Sequence, residues 1–281
     1  MTKQVNRSVL QTGQSVCLEV SMATDTAQAS ESPIHAGAFA SPIIDLRQYT
    51  LYPGTRDEFI NLFDGQFVET QEACDMRLIG QFRDLGDPNK FVWMRGFDDM
   101  PSRARALNAF YLHSEAWARY GEKARSSMID STDALMLKPV SEERGFRLHD
   151  PALRPALESP PPCGLIVVTL YYLPDRPEPD FFEFFFNAVE PLQARAGARS
   201  FGLFTREYSA NNFPRLPLRE NEHVVVSFAA LDSIDAYHRY LTAIGHDGGW
   251  RSDVYPDLVR RLYGRPQVLR LSPTSRSLLR P

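Results

Sequence analysis

The phrase HSEAW at residues 113–117 returns as HDGGW at 246–250. The chain holds only six histidines and three tryptophans, yet two of each stand at one spacing, 133 residues apart. Such a separation points to a fold built twice. The patterning on either side agrees. From Ile43, IIDLRQYTL alternates as a strand does, PGT turns the chain, and Phe59, Phe63 and Phe67 then recur every four residues as one buried helical face. MRLIGQF and FVWMRGF read as strands joined by LGDPNK, a helical region runs from Asp99 to about Met128, and ALMLKPV is a fourth strand. The second half repeats the order with LIVVTLYYLP, the FFEFFF helix, RSFGLFTREY, EHVVVSFAAL, a long helical region and QVLRLSP. Each half is β-α-β-β-α-β, the ferredoxin-like unit.

Matching residues register the halves. Tyr49 and Tyr171, and GQF and GLF, lie 122 apart, whereas Asp99 and Asp232 lie 133 apart like the two phrases. The difference falls in a hairpin where the second half carries SANNFPRLPLREN, and surface hairpins tolerate insertion. A ferredoxin-like sheet has helices on one face only, so its other face needs cover. Two tandem copies packed sheet to sheet supply it, which predicts an α+β pseudo-dimeric barrel. The expected divisions are a flexible arm over 1–42, a first repeat over 43–140, a proline-rich linker over 141–163 and a second repeat over 164–281. The run FFEFFF at 181–186 is apolar all round except Glu183 and predicts core between the two repeats.

Composition excludes several classes. A net charge of −4 offers no basic face for nucleic acid, and no run approaches the ~18 apolar residues that span a membrane. The apolar residues of VLQTGQSVCLEVSM are interrupted by Gln, Gly and Ser, unlike a secretory core. Three scattered cysteines without CxxC suggest a reduced, cytoplasmic protein with neither a zinc site nor a disulfide framework. HExxH, a glycine-rich phosphate loop and GxSxG are all missing.

The strings DLRQYTLYPG, GQFRDLGDPNKFVWMRGFDDMPSR, FYLHSEAW and LMLKP occur in order within 43–140, and this segment resembles a NIPSNAP domain of the dimeric α/β-barrel superfamily. Residues 164–273 resemble it more weakly, keeping Gly-x-Phe and HDGGW. The resemblance implies the barrel. Its superfamily includes cofactor-free monooxygenases, isomerases, lyases and haem enzymes, and fold analogy does not choose among them.

Ser114 and Asp247 are good N-cap residues, so the repeated phrase reads first as a helix break pinned by a tryptophan. A site needed once is rarely kept in both copies. Polar strand residues found in only one copy are therefore more informative. Arg47 shares a face with Asp45 and Tyr49 and aligns with Thr169; Arg95 shares a face with Trp93 and aligns with Phe228. Buried arginines are costly unless paired, so Arg47 meets Asp45 or Glu58 and Arg95 meets Asp98, or both bind a carboxylate or enolate. In the second case Arg47, Tyr49, Arg95, Tyr111 and His113 are the catalytic candidates, and a tyrosine or the histidine moves a proton. Trp93, Phe97, Phe110 and Trp117 would shape the pocket, with Arg103 orienting substrate. The expected protein is a biosynthetic small-molecule enzyme without a nucleotide cofactor, acting on a carbonyl or carboxylate as an isomerase, lyase or cofactor-free monooxygenase. One alternative is a non-catalytic adaptor whose arm and loop 209–221 contact partners. Another is a barrel holding haem through His113, His238 or His246. A homodimer is allowed but not required.

Overall fold

The computed structural model describes residues 37–281, and most of the predicted arm lies outside them. A short strand, β1 (Ala38–Phe39), precedes the first half. That half comprises β2 (Ile43–Leu51), α1 (Arg56–Gln66), α2 (Val68–Glu72), β3 (Arg77–Asp84), β4 (Lys90–Phe97), α3 (Met100–Asn108), α4 (Glu115–Ser126) and β5 (Met128–Pro139). A second short strand, β6 (Arg147–Leu148), lies between the halves. The second half comprises β7 (Leu165–Leu173), α5 (Pro179–Phe184), α6 (Glu190–Arg195), β8 (Arg199–Arg206), β9 (His223–Leu231), α7 (Ile234–His246), α8 (Tyr255–Arg261) and β10 (Gln267–Pro273). Eight antiparallel strands close into a barrel in the order β10-β3-β4-β2-β5-β8-β9-β7. The first half runs β5-β2-β4-β3 and the second β10-β7-β9-β8, the same neighbours in the same order. The halves meet at two seams, β5 with β8 and β3 with β10, each of three residue pairs.

Strand alternation points side chains either into the barrel or outward towards the helices. Ile44, Leu46, Met94 and Leu135 enter the barrel with Val168, Phe228 and Leu269 of the other half and fill its interior. Tyr49, Leu51, Phe91 and Trp93 face outward, against Phe59, Phe63 and Phe67. The phenylalanines spaced by four are buried as predicted. The second half has its own outer core around Tyr171, Phe181 and Phe185, so FFEFFF packs within that half and not between the two.

Two expected boundaries differ. β1 pairs with β6, so residues assigned to the expected arm and to the expected linker 141–163 are ordered as strand. Phe146, 1% exposed, packs tilted against Phe204 and edge to face with Phe228 in the barrel interior. An apolar ring in that segment buries more favourably than it stays in water. Cys74 is free.

Strand pairing corrects the register as well. Gly80 faces Met94 and Gly202 faces Phe228, so β9 runs 134 residues after β4, one more than the repeated phrase suggests. Phe228 thus matches Met94 inside the barrel, and the counterpart of Arg95 is Ala229, opposite Val167 as Arg95 is opposite Asp45. A one-residue slip exchanges the faces of a strand, which is why the aligned residue mattered. The spacing returns to 133 at the phrase because a π-turn at Ala109–His113 adds one residue to the first half. A π-turn at Trp250–Val254 restores 134 in the second, where Leu269 matches Leu135. The retained Gly-x-Phe also has a cause. Both halves bulge there, and a Cβ on Gly80 would stand 2.4 Å from the Phe82 ring.

Candidate functional site

Asp45, Arg47 and Tyr49 alternate outward on β2, and Arg95 stands opposite Asp45 on β4. Asp45, Arg47, Arg95 and the α3 residue Arg103 are all fully buried. Arg95 Nε and Nη2 donate to Asp45 Oδ2 at 3.1 and 2.9 Å, and Arg47 Nη1 donates to Oδ1 at 3.3 Å. Arg47 therefore meets Asp45 and not Glu58, which bonds Lys123, and Arg95 meets Asp45 and not Asp98 as the sequence suggested. One carboxylate serves both. Arg103 has no carboxylate at all: its Nη1 donates to the Oδ1 atoms of Asn211 and Asn212 at 3.2 and 2.7 Å.

Three buried guanidiniums thus surround one carboxylate. Arg47 Nε and Arg103 Nε and Nη2 have no hydrogen-bond partner. Burial opposes the ionisation of Asp45, but Arg47, Arg95 and Arg103 outweigh it and hold its pKa below the usual carboxylate range. Burial likewise opposes the charge on Arg47 and Arg95, and their anionic and tyrosine neighbours more than offset it. Arg103, without such a partner, is pulled down by burial to about 10, so it stays a cation at neutral pH. The cluster carries two positive charges in excess, in a medium where an unmatched charge is expensive.

A cavity of about 230 Å³ lies one residue away from this cluster, separated from it by Tyr111 and Ser131, which the arginines contact. Tyr49, Tyr111, Trp117 and Ser131 line it. Arg47 Nη2 donates to Ser131 O at 2.9 Å, Arg95 Nη1 donates to Tyr111 Oη at 3.3 Å, and the Arg47 guanidinium sits 5.7 Å from the Tyr49 ring centroid. Because Tyr111 Oη accepts from Arg95, its own proton is free to be given. Tyr49 is pushed up to about 12 by burial, so it too is a neutral O–H donor at physiological pH. The π-turn at Ala109–His113 carries Tyr111; such turns often re-aim side chains at working sites. A wider hollow of about 520 Å³ beside β1 and β6 has no buried unpaired side-chain polar atom in its lining.

The remaining predicted residues divide. Trp93, Phe97 and Phe110 are buried in the outer core; Trp93 stacks beneath Arg95 at 4.8 Å and lies 5.8 Å from the Tyr49 ring, behind the cavity wall. Trp117 lines the cavity itself. His113 is exposed and does not line it, which removes it from the proton-moving set. The repeated phrase is capping: Ser114 Oγ accepts from Trp117 N at 3.1 Å and Asp247 Oδ1 accepts from Trp250 N at 2.8 Å. A haem held by a helix histidine does not fit, since His113, His238 and His246 are all exposed and His246 Nδ1 lies 2.8 Å from Thr242 O. Among the described residues no cluster of three or more His, Cys, Asp or Glu could hold a metal, and no helix is long and apolar enough to cross a membrane.

Sequence reasoning missed the cover of the site. The hairpin insertion of the second half folds back over the first, with Phe213 buried 5.9 Å from Tyr111, Arg215 and Leu216 on the cavity wall, and Arg219 Nη1 donating to Asp133 at 2.9 Å. Loop 209–221, which the adaptor alternative would turn to an outside partner, packs against its own chain. The insertion was visible as a length difference, but its direction was not.

The family model described as NIPSNAP matches residues 44–142. A NIPSNAP-like domain protein of Burkholderia xenovorans is 31% identical over 35% of this chain and 85% of its own, with a TM-score of 0.32. A monooxygenase-like protein of Fusobacterium nucleatum is 10% identical over 84% of this chain and 94% of its own, with a TM-score of 0.49. An anthrone oxidase-like protein is 12% identical over 82% and 90%, with a TM-score of 0.48. No curated protein matches the chain. The stretch that matches the NIPSNAP family, residues 44–142, holds β2 from Ile44 through β5 and with them the arginine cluster.

Proposed function

We propose that this protein is an enzyme acting, without a nucleotide cofactor, on a small molecule that bears a carbonyl or carboxylate group. The observation carrying the reading is the excess of buried guanidinium: Arg47 and Arg95 share one carboxylate, Arg103 has none, and Arg47 and Arg103 keep unpaired N–H groups behind the cavity wall. Fixed cations in a dry site favour the anionic form of a bound group, so an acidic carbonyl compound would bind there as its enolate. Tyr49 and Tyr111 would donate hydrogen bonds to that oxyanion and return a proton to it. Asp45 is held ionised by its arginines and is a weak base. The substrates suited to such a site are those acidic enough to form their own carbanion, as in isomerisation, elimination or cofactor-free oxygenation. We further propose that the halves are copies of one ferredoxin-like unit. Val167, Thr169, Ala229 and Tyr237 stand where the first half has Asp45, Arg47, Arg95 and Arg103, so the second copy would be the supporting one.

The test is a spectrophotometric titration of acetylacetone with and without the protein. Its enolate should form at a pH at least one unit lower when bound, and Arg47→Gln and Arg103→Gln should each shrink the shift. An unchanged apparent pKa would defeat the reading. A non-catalytic binding role is the second reading, favoured by the fact that Asp45 already caps two of the three arginines. It predicts binding of anions without turnover of any enolisable compound.

A further inference from the structure

The cavity has a second source of positive charge, at its mouth. Arg125 on α4 and Arg215 on the covering loop both line it, both are exposed, and neither forms an ion pair among the described residues. The Arg125 guanidinium lies 5.4 Å from the Trp117 ring, over one cavity wall. Between this cationic mouth and the buried cluster the walls are aromatic: Tyr49, Tyr111, Trp117 and Phe213. The volume, about 230 Å³, exceeds the roughly 150 Å³ of a cavity that takes benzene and falls short of the ~300 Å³ at which drug-sized sites begin. It suits one ring or two fused rings.

We infer that the site takes a flat one- or two-ring compound with an acidic group at each end. One end would lie toward Arg47, Arg95 and Arg103, the other between Arg125 and Arg215. This inference rests on the proposed anion-stabilising role of the buried cluster and adds the ring and the second charge. Aromatic walls accept a planar ring face to face or edge to face, whereas a flexible aliphatic diacid loses rotamer freedom without that contact. The outer contacts face water, so salt screens them; the inner ones are shielded.

The experiment is a fluorescence titration of the intact chain, reading Trp117 and Trp93, with four probes: naphthalene-2,6-dicarboxylate, 2-naphthoate, 2-naphthalenemethanol and adipate. The expected order is dianion, then monoanion, then the neutral alcohol, with adipate weakest. The double variant Arg125→Gln, Arg215→Gln should bind the dianion about tenfold more weakly, the size of two modest exposed charge contacts, and bind 2-naphthoate as before. Raising salt to about 1 M, where the Debye length is ~3 Å, should erase the dianion's advantage in the parent chain only. Equal affinity for the two naphthalene acids, or an unaffected double variant, would overturn the inference while leaving the proposed function in place. Failure of 2-naphthoate to bind better than the alcohol would overturn both.

Discussion

Among single residues, Asp45 and Asp64 show burial outweighed by neighbouring charge in one case and prevailing in the other. Asp45 is surrounded by guanidiniums, and its ionised form is the one the fold favours. Asp64 on α1 is buried with Oδ1 unpartnered, and burial raises its pKa to about 6, above the ordinary ~4. Its protonated form is the favoured one. The stabilisation is complete below about pH 4 and is lost as pH rises through about 6, a loss of roughly 3 kcal/mol by pH 7. Asp64→Asn should therefore raise stability to urea at pH 7.5 by about 1–3 kcal/mol, with the difference fading towards pH 4. A variant less stable than the parent at both pH values would contradict this account. The pair Arg47 and Arg95 was legible in the sequence as polar residues on core strands of one half only. Their shared counter-ion was less so, because two residues 50 apart in sequence are brought together only by the β2–β4 register.

At the scale of elements, the broken second helix separates scaffold from site. Ser114 and Asp247 cap the restart in both halves, so the break is structural, while the π-turn before it, found in the first half, carries Tyr111 towards Arg95. Ser114→Ala should lower stability by about 1 kcal/mol, the usual worth of such a cap, and His113→Ala should leave both stability and ligand affinity unchanged. Thermal unfolding and the naphthoate titration read the two effects; a loss of affinity in His113→Ala would return the histidine to the site. Strands and helix faces were readable because alternation and four-residue spacing are local. The π-turns were not. Each adds one residue without changing the hydrophobic pattern, and together they hid the spacing of 134 behind a phrase repeated at 133.

In the molecule as a whole, the two halves contribute unequally to one cavity. The first brings the arginines and tyrosines; the second brings Asn211 and Asn212 to Arg103 and closes the cavity with Phe213 and Leu216. Replacing 208–221 by a short turn like Leu85–Asn89 should weaken 2-naphthoate binding at least tenfold although every altered residue lies outside the NIPSNAP match. Far-ultraviolet circular dichroism should be near that of the parent, because β8 and β9 keep their pairing. Undiminished binding in that variant would show that the loop is not part of the site.

The amino-acid sequence alone determined the β-α-β-β-α-β order of each half, the buried helical faces and the asymmetry of charge between the halves, because periodicity and composition are properties of neighbouring residues. Only the tertiary structure decided which face of β9 matches which face of β4, that one carboxylate serves two arginines, and that the second half's insertion covers the first half's cavity. Those outcomes depend on strand register and on the closure of eight strands into a barrel, where a shift of one residue reverses a side chain and residues more than 100 positions apart become hydrogen-bond partners.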